Sequence, residues 1–190
     1  MDVKTALLER RTIRKFTQTP ILEQDLTDLI EYARLAAYPA NLQPLKFAII
    51  TENELCNKVF DNTKWAGYLP DGTPKEAERP TAFIAVLGDT EIKNSFEVEA
   101  GAAVTSMMLG ALEKGIGSCW IGALNKKNIM EALELDEEKY NLLYVLALGY
   151  PAQESQACPM QDNNVKYFLD ENNKLNVPKR SMNEVLLFKK

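Results

Sequence analysis

The chain has 190 residues, 46% of them apolar, which is enough for one well-cored domain and short for two. Its formal net charge is −5, which argues against general nucleic-acid affinity, because neutralising phosphates needs a basic face and the cations here lie in local islands. Histidine is absent, so the usual neutral-pH acid/base, the Ser/His and Cys/His nucleophile pairs and the commonest zinc or iron ligand are all excluded. Carboxylates, Tyr or Lys must then move protons, or a bound cofactor must supply the chemistry.

From Met1 to Lys15 apolar and charged residues alternate, which predicts neither a secretory leader nor a membrane anchor and points to a cytoplasmic protein. The segment ends in a cationic cluster, Arg10-Arg11-Thr12-Ile13-Arg14-Lys15, followed by Phe16. One reading is that these cations only complement the C-terminal dipole of a first helix. The other is a phosphate site, since each guanidinium offers a planar fork of donors to oxyanions and Thr12 adds a hydroxyl.

Leu26, Leu29, Ile30, Ala33 and Ala37 recur at helical steps, so a helix is expected over 23–37, stopping near Pro39. In Pro39-Ala40-Asn41-Leu42-Gln43-Pro44 the two amides can read a ring edge between prolines that keep the backbone extended and rigid; a plain polar connection is the simpler reading. Buried strands are expected at 47–51, 82–87 and 142–148. Residues 64–80 break every period and read as a long aromatic-bearing loop of the kind that forms lids.

The segment 96–114 reads as a helix with Val98, Ala102, Thr105, Met108, Leu109 and Leu112 on one stripe and Ala100, Ala103, Val104 and Met107 on the other. Burial on both sides suggests a subunit interface, with Met-rich core packing as the alternative. Gly115-Ile116-Gly117 follows a helix and precedes a strand, the reverse of a dinucleotide-binding turn. Gly115 suits a helix C-terminus, while Gly117 and Gly122 bracket a run whose backbone could approach a flat ring. Cys56, Cys119 and Cys158 fit no disulfide framework and read as free thiols. After Pro151 the tail is polar, then extended around 165–169, turns at 170–173 and shows a helical signal over 183–188.

Taken together, the Arg10–Phe16 cluster, Asn41-Leu42-Gln43-Pro44, Gly117-Ser118-Cys119-Trp120-Ile121-Gly122 and Pro178-Lys179-Arg180 resemble, in order and spacing, the nitroreductase family of FMN-binding flavoproteins. The resemblance implies an α+β fold over residues 1–190: a central mixed or antiparallel sheet flanked by helices, in an intertwined homodimer with a C-terminal extension. It implies that Arg10, Arg11, Thr12 and Arg14 hold the ribityl phosphate, completed by Lys179 and Arg180. Pro39, Ala40, Asn41 and Gln43 would serve the ring and ribityl chain, and backbone groups of Ile121 and Gly122 would face N5. Trp65 and Tyr68, in the family's variable loop, are the candidate substrate contacts. No side chain is implied as catalytic and no metal is needed, because N5 carries the hydride from NADH or NADPH to nitroaromatics, quinones or related acceptors in ping-pong turnover. Thr12 replaces the family's Ser and keeps the hydroxyl, whereas Leu45 replaces an aromatic residue. A specialised reductase, such as a dehalogenase or an enzyme of flavin metabolism, and a flavin-binding regulator without turnover remain as alternatives.

Overall fold

The computed structural model describes residues 1–189. Asp2 caps the first helix, α1 (Val3–Glu9), by accepting the Thr5 amide at 3.0 Å, and the backbone leaves helical geometry at Arg10. In α2 (Glu23–Arg34), Leu26, Leu29 and Ala33 form the buried stripe. The helix ends at Arg34 rather than Ala37. The Tyr38 hydroxyl donates to the Ala33 carbonyl at 2.9 Å, and Tyr38 is extended ahead of Pro39, so the last turn closes through a side chain.

The remaining elements are β1 (Leu45–Ile50), α3 (Asn53–Asp61), β2 (Ala82–Asp89), α4 (Glu97–Glu113), β3 (Gly117–Ile121), α5 (Lys126–Ala132) and β4 (Tyr140–Gly149). After these come β5 (Ser155–Pro159), β6 (Phe168–Leu169), β7 (Leu175–Lys179) and α6 (Met182–Val185). The strands β1 to β4 form one sheet in the order β1-β2-β4-β3, with every pairing antiparallel. Parallel pairing occurs instead at the Thr12–Ser118 bridge and between β5 and β7, which with β6 make a small second sheet.

Every residue of β2 is buried because helices cover both faces of the sheet. On one face α2 and α4 pack Leu26, Leu29, Ala103 and Met107 against Ile84, Val86, Leu146 and Leu148. On the other, α3 and α5 bring Val59, Phe60 and Ile129 onto Phe83, Ala85, Val145 and Ala147. Alternation along β2 and β4 thus feeds two cores from one sheet. The ring of Tyr32 lies so close to α4 that a Cβ at Gly110 would fall 2.3 Å from it.

The side of α4 that packs inward carries Ala100, Ala103, Val104, Met107, Met108 and Ala111; Val98 stays 68% exposed and Thr105 is exposed. Met108 therefore belongs to the inner face, one residue away from the stripe expected for it. Gly115 closes the helix with φ +72°, as its place after the last turn suggests. The tail is more ordered than its polarity indicated. The short β5 pairs with β7, and the terminal helix spans Met182–Val185 with a Ser181–Glu184 capping box rather than running to 188.

Candidate functional site

The cationic segment is clamped to the outer edge of β3. The Ile13 amide donates to the Ser118 carbonyl at 3.0 Å, and the Ile13 side chain fills the space above Gly117, where a Cβ would fall 3.0 Å from it. Gly117 is therefore small to admit Ile13, not a flat ring, which corrects the expectation for that glycine. Phe16 is fully buried and bridges to Pro151.

Clamping divides the cations by partner. Arg11 donates to the Leu8 carbonyl at 2.6 Å and to the Arg10 carbonyl, satisfying the end of α1. Lys15 pairs with Glu78 at 3.0 Å. Burial pushes the Glu78 carboxyl up, but the hydrogen bonds from Lys15 and the Lys75 amide outweigh it and leave it below its ordinary value. Arg10 and Arg14 have no ion pair among the described residues. Burial, and then the Arg11 charge, lower the Arg10 guanidinium below the usual arginine value. A half-buried cation beside another cation is unfavourable until an anion arrives.

Arg10 and Arg11 line a cleft with Met108, Leu112, Ser118 and Ser155. Two buried polar atoms there, Arg11 Nε and Ser155 Oγ, lack hydrogen-bond partners. Uncompensated positive charge beside orphaned donors is the donor chemistry of an oxyanion site, so the phosphate end of a flavin nucleotide fits these residues. Thr12 sits between them on the bridge to Ser118. Arg14 is outside the cleft, its guanidinium 4.5 Å from the centroid of the Tyr167 ring.

The open edge of β3 supplies backbone donors. Ser118 turns its carbonyl outward to Ile13, so alternation in the ladder turns Ile121 toward Val145 of β4 and leaves Trp120 and Gly122 facing the edge. Farther along, Lys64 donates to the Ala123 carbonyl and Asn125 to the Asn62 carbonyl, both at 2.8 Å, closing the edge again. Of the expected pair, it is thus the Gly122 amide that faces the open edge, together with that of Trp120, while the Ile121 side chain is buried. The Trp120 ring stands edge-on to Tyr144 at 5.1 Å. A Cβ at Gly122 would come within 3.3 Å of Tyr144.

Just after this closure the chain enters the aromatic loop. Trp65 is 8% exposed, packs at 5.3 Å against Phe60 and donates to Thr63 Oγ1 at 2.8 Å. Tyr68 is 49% exposed and meets the Tyr167 ring at 5.0 Å with a 54° tilt. The structure thus separates the two candidate substrate contacts into a buried anchor and an exposed ring.

Pro39–Asn41 forms a 3-10 turn, not an extended segment, and Ala40, Asn41 and Gln43 adopt left-handed φ of 50°, 52° and 50°. Such conformations cost about 1 kcal/mol or more each in non-glycine residues and cluster at functional sites. The Gln43 amide donates to the Asn41 carbonyl at 3.2 Å. This loop enters β1 at Pro44, whose carbonyl accepts the Asp89 amide, whereas the Arg10–Arg14 segment lies beyond β3 at the level of Leu148 of β4. Opposite edges and opposite ends of the sheet separate the two by roughly 30 Å, from strand spacing and rise. One chain does not bring them together. Nor does it bring Lys179 and Arg180 to Arg10: Lys179 pairs with Pro159, about 13 Å along β5 from Ser155. Arg180 is engaged by Glu184 at 3.1 Å and Asn163 at 3.2 Å.

Gln153, which accepts the Arg14 amide at 3.2 Å, and Tyr167 are site neighbours that sequence reasoning did not find. Both come from beyond β4, and no spacing in the sequence marks them.

Residues 7–150 match the model of the Nitroreductase family, a span that holds the Ile13 clamp and the whole four-stranded sheet. The chain belongs to the nitroreductase family. It is similar to an Archaeoglobus fulgidus protein provisionally named NADH dehydrogenase/NAD(P)H nitroreductase, 29% identical over 76% of this chain and 83% of the relative. The FMN reductase [NAD(P)H] of Bacillus subtilis is 28% identical over 83% of this chain and 69% of its own length. A solved structure from Desulfovibrio desulfuricans, provisionally named a nitroreductase and in complex with FMN, superimposes with a TM-score of 0.74 at 25% identity. It covers 100% of this chain and 98% of that one. This nitroreductase-family chain thus has a structural counterpart along its tail as well as its sheet.

Proposed function

We propose that the protein is an FMN-dependent oxidoreductase that takes electrons from NADH or NADPH and passes them to nitroaromatic, quinone or related small acceptors in ping-pong turnover. The observation that carries this reading is Arg10, half-buried and without a counter-charge next to orphaned donors, at the edge of β3 in a chain of this family.

Arg10 and Thr12 hold the ribityl phosphate in this reading, Arg14 reaches the nucleotide from outside the cleft, and Arg11 braces the backbone that presents them. Bound there, FMN supplies a two-electron carrier that accepts and donates hydride at N5. The Trp120 and Gly122 amides provide fixed donors along the open edge. Tyr68 offers an exposed face to the acceptor, and Trp65 anchors its loop from below. No side chain is required as a proton donor, which accords with a chain that lacks histidine.

A second copy of the chain completes the site. Three observations support a homodimer: the roughly 30 Å between the Pro39–Gln43 loop and the arginines, the exposed outer side of α4 at Val98, and the exposed Met182, Val185, Leu186 and Leu187 of the tail. Lys179, Arg180, Asn41 and Gln43 then reach a flavin across the interface. Residues 1–190 act as one domain within that dimer. Among the described residues no helix is long and apolar enough to cross a membrane, and a cytoplasmic location follows from this reading.

The absorbance spectrum of the purified protein tests it. Flavin bands that bleach on anaerobic addition of NADH or NADPH, in a particle of twice the 21.4 kDa chain mass, are expected. A protein that stays colourless after incubation with FMN would overturn it.

A further inference from the structure

Arg14 is fixed at both ends without any hydrogen bond to its guanidinium. Its backbone amide donates to Gln153 Oε1 at 3.2 Å, and its guanidinium lies over the Tyr167 ring, 4.5 Å from the centroid. Tyr167 is itself held: its ring meets Tyr68 at 5.0 Å with a 54° tilt and packs against the core under β3 and β4. Three distant pieces of chain, the cationic segment, the aromatic loop and the tail, therefore meet at one ring.

The way the cation is held matters. A carboxylate partner would neutralise Arg14 and consume its donors, as Glu78 does for Lys15. An aromatic face attracts the guanidinium through the ring quadrupole and leaves its N–H groups, which lie in the guanidinium plane, free. Held this way, Arg14 keeps its full charge and its donor fork in a restricted orientation. Side-chain entropy that an anion would otherwise have to remove is already lost.

We propose that Tyr167 is a positioning residue for the cofactor: it orients Arg14 for the flavin nucleotide by stacking, without competing for the donors. This rests on the flavin reading above. Apo protein is titrated with FMN, followed by quenching of flavin fluorescence. Tyr167→Leu is expected to weaken FMN about tenfold, because the freed Arg14 side chain must be ordered again when the nucleotide binds. Tyr167→Phe, which keeps the ring, should stay within about twofold of the unaltered protein, because the face does the work. In an Arg14→Ala background Tyr167→Leu should weaken FMN no further. Thermal melts accompany each titration, and Tyr167→Met, flexible and without a ring, repeats the measurement if the leucine variant melts early.

Equal weakening in both backgrounds would make Tyr167 a general structural support and overturn the proposal. So would unchanged affinity in the leucine variant, or a phenylalanine variant as weak as leucine. Unaltered protein that binds no FMN would overturn the flavin reading itself, a distinct result, and with it the role assigned to Tyr167.

Discussion

The ring of Phe16 occupies the space that a side chain on residue 149 would need: a Cβ at Gly149 falls 2.8 Å from Phe16 Cβ and Cδ1. The last residue of β4 thus decides whether the cationic segment can lie down. Phe16 is fully buried and its amide donates to the Glu78 carbonyl at 3.0 Å, so the ring has no easy retreat. Gly149→Ala is expected to cost about 1–3 kcal/mol of stability as an overpacked core. It should also weaken FMN binding, because Arg14 sits two positions from the displaced ring. Urea denaturation with a parallel FMN titration checks both. Unchanged values would show that the segment can slide past a methyl group.

Adjacent arginines should behave oppositely. Arg11 is spent on the carbonyls of Leu8 and Arg10, so Arg11→Ala is expected to lower apo-protein stability by about 1 kcal/mol. Arg10 is a half-buried cation lowered by burial and by Arg11. Arg10→Met should therefore leave the apo protein as stable or raise it by about 0.5–1 kcal/mol, while FMN affinity falls at least tenfold through a lost charge-assisted contact. Melting curves of flavin-free protein and FMN titrations separate the two effects. Equal losses of stability at both positions would contradict the division of labour.

How much of this was legible in the sequence depends on how local each feature is. The stripe Leu26, Leu29, Ala33 and the apolar runs of β1, β2 and β4 are local patterns, and they recovered the helix and strands nearly to their ends. The second sheet was missed because β5 and β7 are five-residue strands with little apolar character, specified by each other rather than by pattern. In the site, composition marked the cations but not their partners. Gly117 reads equally well as room for a ligand or for Ile13, and only the docked segment decides between them. Arg10 and Arg11 are indistinguishable in sequence, and their different fates follow from where α1 ends. Tyr167 could not be found at all, since its role exists only once the tail folds back over Arg14.

The three free thiols differ in access. Burial pushes both Cys56 and Cys119 up to about 11, with Glu52 reinforcing the shift at Cys56 and Arg14 opposing it at Cys119, whereas Cys158 is half-buried. At about pH 8 the two buried sulfurs carry too little thiolate to react. A thiol reagent is expected to modify Cys158 alone in the native protein and all three after unfolding. The sign of the linked pH effect also follows. Between the ordinary value of 9.0 and about 11 the unfolded chain holds fewer protons than the folded one, so stability falls as pH rises through that window. Denaturation midpoints across that range check this. Rapid native labelling of Cys119 would show that β3 opens.

The buried ion pair at the start of α4 offers the largest effect. Glu99 is 1% exposed and pairs with Lys93 at 2.5 Å, while its second oxygen, Oε2, is buried without a partner. Nearby, burial and then the Glu99 charge raise the Tyr38 hydroxyl pKa, which places the carboxylate close to the residue that leads into the left-handed Pro39–Gln43 turn. Lys93→Met removes the only countercharge, among the described residues, from a carboxylate buried beside the α2–α4 core, so a loss of about 3 kcal/mol is expected. Adding Glu99→Met should recover most of it, because replacing a buried pair with apolar side chains of similar volume is commonly neutral. A double-mutant cycle in urea reads the coupling directly. If Lys93→Met alone costs less than about 0.5 kcal/mol, the pair behaves like an exposed one and water reaches Glu99. If the double variant is stable but binds FMN poorly, the pair instead sets the conformation of the Tyr38–Gln43 turn, and its retention in the core is functional.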